Sequence, residues 1–187
     1  MMTRAFVCLL LAAGCLLPGC ASAPAVPFIK GSAKLDSVPE ADIRAVAEQI
    51  EAAVRAGEKE PKIANHGAIV ADFPELQQAV RSRAIRFPLL DGFLSSGHAY
   101  EADTSLIAVL RTKAYKSEGT AQDRDRDALL VMSENNNRWS IYEGIVKHSK
   151  LPARSLASVQ EIFRQVRVAG LKPGQKHQEP GEQISAK

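Results

Sequence analysis

Ala128, Met132, Asn135, Trp139, Tyr142 and Val146 follow one another at intervals of four, three, four, three and four residues. This spacing constrains the fold more than any other feature of the chain. It keeps the side chains on one face of a helix with 3.6 residues per turn, and a strand, whose side chains alternate, cannot reproduce it. It predicts a helix from about Asp123 to Ser149 whose continuous face crosses a whole domain. Asp123 and Asp125 suit the positive N-terminal end of that helix, and Lys147 and His148 suit the other end. The alternating Asp-Arg-Asp-Arg-Asp at 123 to 127 reads as a solvated first turn.

Three further segments carry the same helical period. From Ser37 to Gly57, Ile43, Val46, Ala47, Ile50 and Val54 form one apolar stripe, Ser37 and Glu40 have capping-box spacing, and Gly57 suits the C-terminal cap. After a loop-like stretch with a short extended piece at Ala68 to Ala71, Asp72 and Glu75 repeat the capping-box spacing. Leu76, Ala79, Val80 and Ala84 follow on one side, and the pattern runs on through Phe87, Leu90 and Leu94. Pro88 lies within that run and predicts a kink, because proline lacks the N–H and crowds the carbonyl four residues back. Ser155 is placed to cap a last helix with Leu156, Val159, Ile162, Phe163 and Val166 inward and Gly170 at its end. Leu106 to Leu110 is apolar and partly β-branched, and reads as a short strand. Lys113 to Gln122 reads as a polar loop. The predicted fold is mainly α: one small domain of four to five helices with a minor β element, over residues 38–171, followed by a polar C-terminal tail at 172–187 that is loose or forms one weak hairpin.

The start of the chain speaks to location. Arg4 precedes an uncharged apolar run from Ala5 to Leu17, too short for the roughly 20 residues that span a bilayer and suited to a cleaved signal. It ends in Leu17-Pro18-Gly19-Cys20, which resembles the bacterial lipobox. Residues 1–19 are therefore expected to be a lipoprotein signal peptide, Cys20 the lipidation site, and residues 20–37 the anchor and flexible linker. A diacylated, usually N-acylated cysteine carries enough buried methylenes for stable attachment. Ala21 lacks the Asp that resembles the inner-membrane retention signal, so the expected place is the periplasmic face of the outer membrane. Cys8 and Cys15 leave with the signal, which leaves no thiol pair for a disulfide.

Charge and composition narrow the function classes. Without Arg4 the chain carries 23 basic and 21 acidic residues, a mixed surface with no nucleic-acid footprint. About 168 mature residues suffice for one domain with a core of its own. The four histidines, His66, His98, His148 and His177, are too far apart for a local metal motif, and no nucleophile elbow or phosphate loop is present. No catalytic residue, metal or cofactor is assigned, and the chain reads as a binding protein rather than an enzyme.

Two stretches together resemble the YdbL-like envelope proteins, a bacterial family described as a domain of unknown function. One is Arg83-Ala84-Ile85-Arg86-Phe87-Pro88-Leu89-Leu90, followed by Gly97. The other is Asn135-Asn136-Asn137-Arg138-Trp139-Ser140-Ile141-Tyr142, then Ile145 and Lys147, the last helix and Lys172-Pro173-Gly174. The resemblance covers residues 72 to 185. The turn here reads Gly97-His98-Ala99-Tyr100-Glu101 where the family tends to Gly-x-Gly-Glu, and the tail lacks the family's tryptophans. It implies an envelope protein without established catalysis, an accessory to outer-membrane lipid homeostasis.

Arg86, Asn135, Arg138 and Tyr142 are the candidate binding residues. Asn135, Arg138 and Tyr142 share a helix face, and three consecutive asparagines oppose helix propensity, a violation that needs a packing or functional reason. Two readings stand side by side: a binding face, or a satisfied polar cluster in which Asn135 bonds a loop carbonyl, Arg138 pairs with Glu101 or Glu134, and Tyr142 packs with its hydroxyl at the edge. Arg81, Arg83 and Arg86 read as a solvated basic face or as a contact for anionic lipid or an acidic partner. The expected function is a non-catalytic binding or chaperone-like accessory of an envelope assembly, tethered to the membrane by its lipid and partnered by an envelope protein. The alternatives are an envelope hydrolase whose site assembles only in the fold, and a passive lipoprotein that binds cell wall or membrane.

Overall fold

The computed structural model describes residues 38–187, so the signal peptide, Cys20 and the linker to residue 37 lie outside the described residues. The first apolar stripe becomes helix α1, Glu40–Ala56, and all five of its stripe residues are buried. Pro39 stands at its N-cap without a side-chain hydrogen bond, and Gly57 ends it at φ 70°, turning its N–H back to the carbonyls of Ala53 and Val54. A left-handed residue here is strained for anything with a Cβ, which is why glycine ends the helix.

Helix α2, Pro74–Ser95, runs through Pro88 without interruption. Its predicted capping box does not form. Phe73, not Asp72, takes the cap position, and its ring is buried and stacked on His148 at 4.1 Å between centroids. Burial of an aromatic ring outweighs a cap hydrogen bond, which contributes only about 1 kcal/mol.

After Gly97, at φ 73°, strand β1 (Ala99–Glu101) turns into strand β2 (Ile107–Val109), the antiparallel pair that the Leu106–Leu110 segment partly foreshadowed. The expected polar loop at 113–122 instead contains helix α3, Lys113–Glu118. Thr112 accepts a hydrogen bond from the Tyr115 N–H, and Tyr115 is buried with its hydroxyl donating to Asp127 at 3.1 Å. One buried tyrosine is too little for a periodicity signal, yet it holds this six-residue helix in place.

Helix α4, Ala121–His148, is the long predicted helix, opened by a complete capping box between Thr120 and Asp123. Its inward face differs from the predicted one. Val131, Glu134, Arg138, Ile141, Tyr142 and Ile145 are buried, while Ala128 is exposed, Met132 is 54% exposed and Trp139 is 40% exposed. The true face includes two charged residues that an apolar count passes over. A single 3-10 turn at Ala153–Ser155 leads into helix α5, Leu156–Ala169, where Ser155 is buried and makes no side-chain cap bond.

Of the two forms expected for the tail, it takes the hairpin. Strands β3 (Lys176–Gln178) and β4 (Ile184–Ala186) form a hairpin, and β3 adds in parallel to β1 with Tyr100 opposite Lys176. The sheet order is β2-β1-β3-β4. Residues 172–187 thus belong to the domain. Their pairing is with a segment over seventy residues earlier, which no local pattern reports.

Two apolar cores result. The larger joins α1, the first half of α2, the last turns of α4 and α5; the smaller joins Leu90, Phe93 and Leu94 to the first strands, Tyr115 and Val131. The early residues of α2 share a core with the late residues of α4, so these helices are antiparallel. Arg83 on α2 and Glu134 and Arg138 on α4 fall between the two cores. Among the described residues no helix is long and apolar enough to cross a membrane.

Candidate functional site

Between the two cores lies a ring of six buried charges, contributed by five different elements. Arg83 of α2 grips Glu51 of α1 with both terminal nitrogens, each at 3.0 Å, and its Nε donates to Glu134 of α4 at 2.9 Å. The Arg138 Nε donates to the same Glu134 oxygen at 2.7 Å, and its two terminal nitrogens grip Glu101 of β1 at 2.8 Å each. Arg167 of α5 donates from Nε to Glu101 at 3.2 Å and from Nη2 to the Ser105 carbonyl at 2.8 Å. The circle closes where Arg167 Nη1 approaches Glu51 at 3.6 Å, too long for a hydrogen bond. Charges alternate around it, three arginines against three glutamates.

Burial makes these charges costly, and pairing makes them tolerable. Arg138 is 1% exposed and Arg167 3% exposed. An unpaired ion at such depth costs several kcal/mol, which forked guanidinium–carboxylate pairing offsets. The electrostatics bear this out. Burial alone pushes the Glu134 carboxyl up, but the guanidiniums of Arg83 and Arg138 more than reverse it and hold the group at about 2. Glu51 and Glu101 are driven upward by burial in the same way, and their arginine partners bring both below the ordinary carboxylate range. All three glutamates are therefore anions at neutral pH, each accepting at least two arginine N–H bonds.

The candidate residues take separate places. Arg138 is at the centre of the ring and pairs with both glutamates considered for it. The Asn135 side-chain amide accepts from the Ile107 N–H and donates to the Ile107 carbonyl, both at 2.9 Å, so it completes the edge of β2 as another strand would. This explains an asparagine in mid-helix, where propensity opposes it. Tyr142 is fully buried, and its hydroxyl donates to the Ser105 carbonyl at 3.0 Å, with the Arg167 guanidinium over its ring at 5.9 Å. Asn135, Arg138 and Tyr142 are thus the satisfied polar cluster and not an exposed face. Tyr142→Phe should cost about 1 kcal/mol in urea unfolding, since it deletes one bond to an oxygen that Arg167 still serves. A cost above about 3 kcal/mol would mean that Tyr142 also orders the ring.

The basic patch dissolves in the same way. Arg83 is buried in the ring, Arg81 pairs with Glu60 at 2.9 Å, and Arg86 is half-buried, its Nε and Nη2 without a partner among the described residues. Burial of Arg83 follows from its facing Glu51 and Glu134. The histidines go to four different neighbours: Asp42, Glu118, the Phe73 ring and Glu179.

Above the ring, α1, α2 and α5 enclose a cleft of about 250 Å³. Five of the six ring residues reach it, all but Glu134. Phe87, Leu90, Leu94 and Leu171 supply apolar wall, and Arg55, Asp91, Lys172 and Gln175 supply polar rim. Lys172 and Gln175 both bond Asp91. Sequence reasoning missed Glu51 and Arg167, though a signal existed. Glu51 interrupts the α1 stripe between Ile50 and Val54, and Arg167 follows Val166 on the inward side of α5. No family model matches the chain, and no curated protein or solved structure matches it.

Proposed function

We propose that the protein is a lipid-anchored, non-catalytic binding or chaperone-like accessory of a bacterial envelope assembly, with the cleft between α1, α2 and α5 as its contact site. Lipidation of Cys20 and residence on the periplasmic face of the outer membrane are part of this reading, and a role in outer-membrane lipid homeostasis follows the YdbL-like resemblance. The state of the ring carboxylates, two of which reach the cleft, carries it. General acid–base catalysis needs a group that can exchange a proton near the working pH. Glu51, Glu101 and Glu134 are held as anions by arginine, and their bonds to those arginines fix them in place. Such a floor orients and neutralises. It does not transfer protons.

In-cell crosslinking with mass spectrometry tests the reading. The charges to change are the rim pair, Arg55→Glu with Lys172→Glu, because both are exposed and the ring stays intact. A specific envelope partner in the wild type, lost in the folded double variant, is the expected result. An unchanged set of crosslinks removes the cleft as contact site. For the anchor, globomycin should cause the precursor to accumulate, and the mature Cys20 should carry the mass of a diacylglycerol. An unmodified Cys20 contradicts the anchor.

A further inference from the structure

Resting on the reading of the cleft as a binding site, we propose that it takes a small organic monocarboxylate with an apolar body, its carboxylate received by Arg167, Arg55 and Lys172. Four observations converge on this class of ligand.

The first is the open link of the ring. Arg167 is 3% exposed and lines the cleft, yet its Nη1 has no hydrogen-bond acceptor among the described residues. Buried guanidinium donors are rarely left unpaired, because an unpaired donor forfeits its hydration without a replacement. An oxygen entering beside Glu51 would complete it. The second is Arg55. Its guanidinium lies over Gly170, where any Cβ would collide with it, and it has no ion pair among the described residues. A cation is thus laid across the mouth of the cleft without a carboxylate of its own.

The third is charge. The ring is neutral. Arg55 and Lys172 add two positive charges at the rim and Asp91 one negative, so the cleft together with the whole ring, Glu134 beneath the floor included, stands at +1. One negative charge neutralises it, whereas a phosphate dianion overshoots. The fourth is shape. Phe87, Leu90, Leu94 and Leu171 offer apolar contact, and about 250 Å³ lies just below the roughly 300–1,000 Å³ of common small-molecule sites. The body is therefore short. A zwitterionic amino acid fits poorly, because its ammonium would need Asp91, which already accepts from Lys172 and Gln175.

Methyl NMR of the full-length protein in a nonionic detergent tests this, with hexanoate, hexanamide and inorganic phosphate as probes. Hexanoate should shift the methyls of Leu90, Leu94 and Leu171 and leave the exposed, distant Leu129 unmoved. Hexanamide, equal in shape but uncharged, should bind about tenfold more weakly or worse, the loss of one charge-assisted contact. Gly170→Ala displaces only the flexible end of Arg55 and should weaken hexanoate about tenfold, with a melting temperature close to wild type. Equal binding of hexanamide, shifts from phosphate matching those from hexanoate, or wild-type affinity in Gly170→Ala would each overturn the proposal, as would cleft leucines unmoved by hexanoate. The two failures are separable. If hexanoate leaves the cleft unmoved while the Arg55→Glu, Lys172→Glu variant still loses its crosslinks, the ligand class falls and the contact site stands. If hexanoate binds and the crosslinks are unchanged, the accessory reading falls and the carboxylate site stands.

Discussion

Arg138→Met should lower the stability of the domain by about 3–5 kcal/mol, the range for breaking a buried ion pair by removing one partner. Methionine follows the aliphatic stem of arginine but stops short of the guanidinium, so packing along the stem is kept and the loss falls on the guanidinium's own contacts. What remains is charge. Glu101 loses both bonds from the Arg138 fork and keeps only Arg167, and Glu134 keeps only Arg83. Two buried carboxylates then lack half or more of their compensation. At about 2–4 °C per kcal/mol for a domain of this size, the melting temperature should fall by roughly 10 °C. Arg126→Met is the matched control. Arg126 is 72% exposed by side chain and, among the described residues, pairs only with Asp123 on the surface, which is typically worth under about 1 kcal/mol. Adding Glu101→Leu to Arg138→Met should recover part of the loss, because the stranded charge goes with its partner. Arg138→Met melting within about 2 °C of wild type would mean that the ring contributes nothing to holding the elements together.

The second large effect is on acid stability. Glu134 sits at about 2 in the folded protein, below its unfolded value of about 4.3. A carboxyl lowered by folding adds stability that is fully present above its unfolded value and is lost as the pH falls toward its folded one. The window is thus from about pH 4.3 down to about pH 2, and Glu134 alone contributes on the order of 3 kcal/mol across it. Glu51 and Glu101 are lowered too and act in the same direction. The urea midpoint should be level from pH 7 to pH 5 and then drop steeply. Glu134→Gln should be less stable at pH 7 but should lose less on acidification, because its side chain no longer takes up a proton on unfolding. A midpoint that holds level from pH 5 to pH 2.5 would contradict ionised, paired glutamates in the core.

Both effects explain how the ring serves the cleft. Glu51, Arg83, Glu101, Arg138 and Arg167 come from five elements distant in sequence and meet at one floor. Each forked bond fixes one element against another, α2 on α1 through Arg83 and α4 on β1 through Arg138. A floor so tied suits the binding role proposed for the cleft. A preorganised site does not have to order its charged side chains on contact.

The helices were legible in the sequence because their apolar residues recur locally. The stripes of α1 and α5 needed only the three-and-four spacing, and the burial of Ile43, Ile50, Val159 and Phe163 follows from it. Gly57 and Gly97 were legible as stops, since a positive φ favours a residue without a Cβ. The mid-helix asparagines marked a site of special packing, but only the fold supplied the edge of β2 that Asn135 completes. The inward face of α4 was misplaced for a related reason. Counting apolar residues selects Met132 and Trp139, while the fold turns Glu134 and Arg138 inward because Arg83 and Glu101 wait there. A charged residue is core only when its partner arrives, and here, apart from the Glu134–Arg138 pair four residues apart on α4, the hydrogen-bonded partners lie 32 to 66 residues away. The sequence by itself determined the four long helices and the stop at Gly57, whose causes are local, but not α3 or the caps at Phe73 and Thr120. The tertiary structure alone decided the parallel docking of the tail on β1, the closure of the ring and the cleft above it, because each depends on meetings between segments that local physics does not specify.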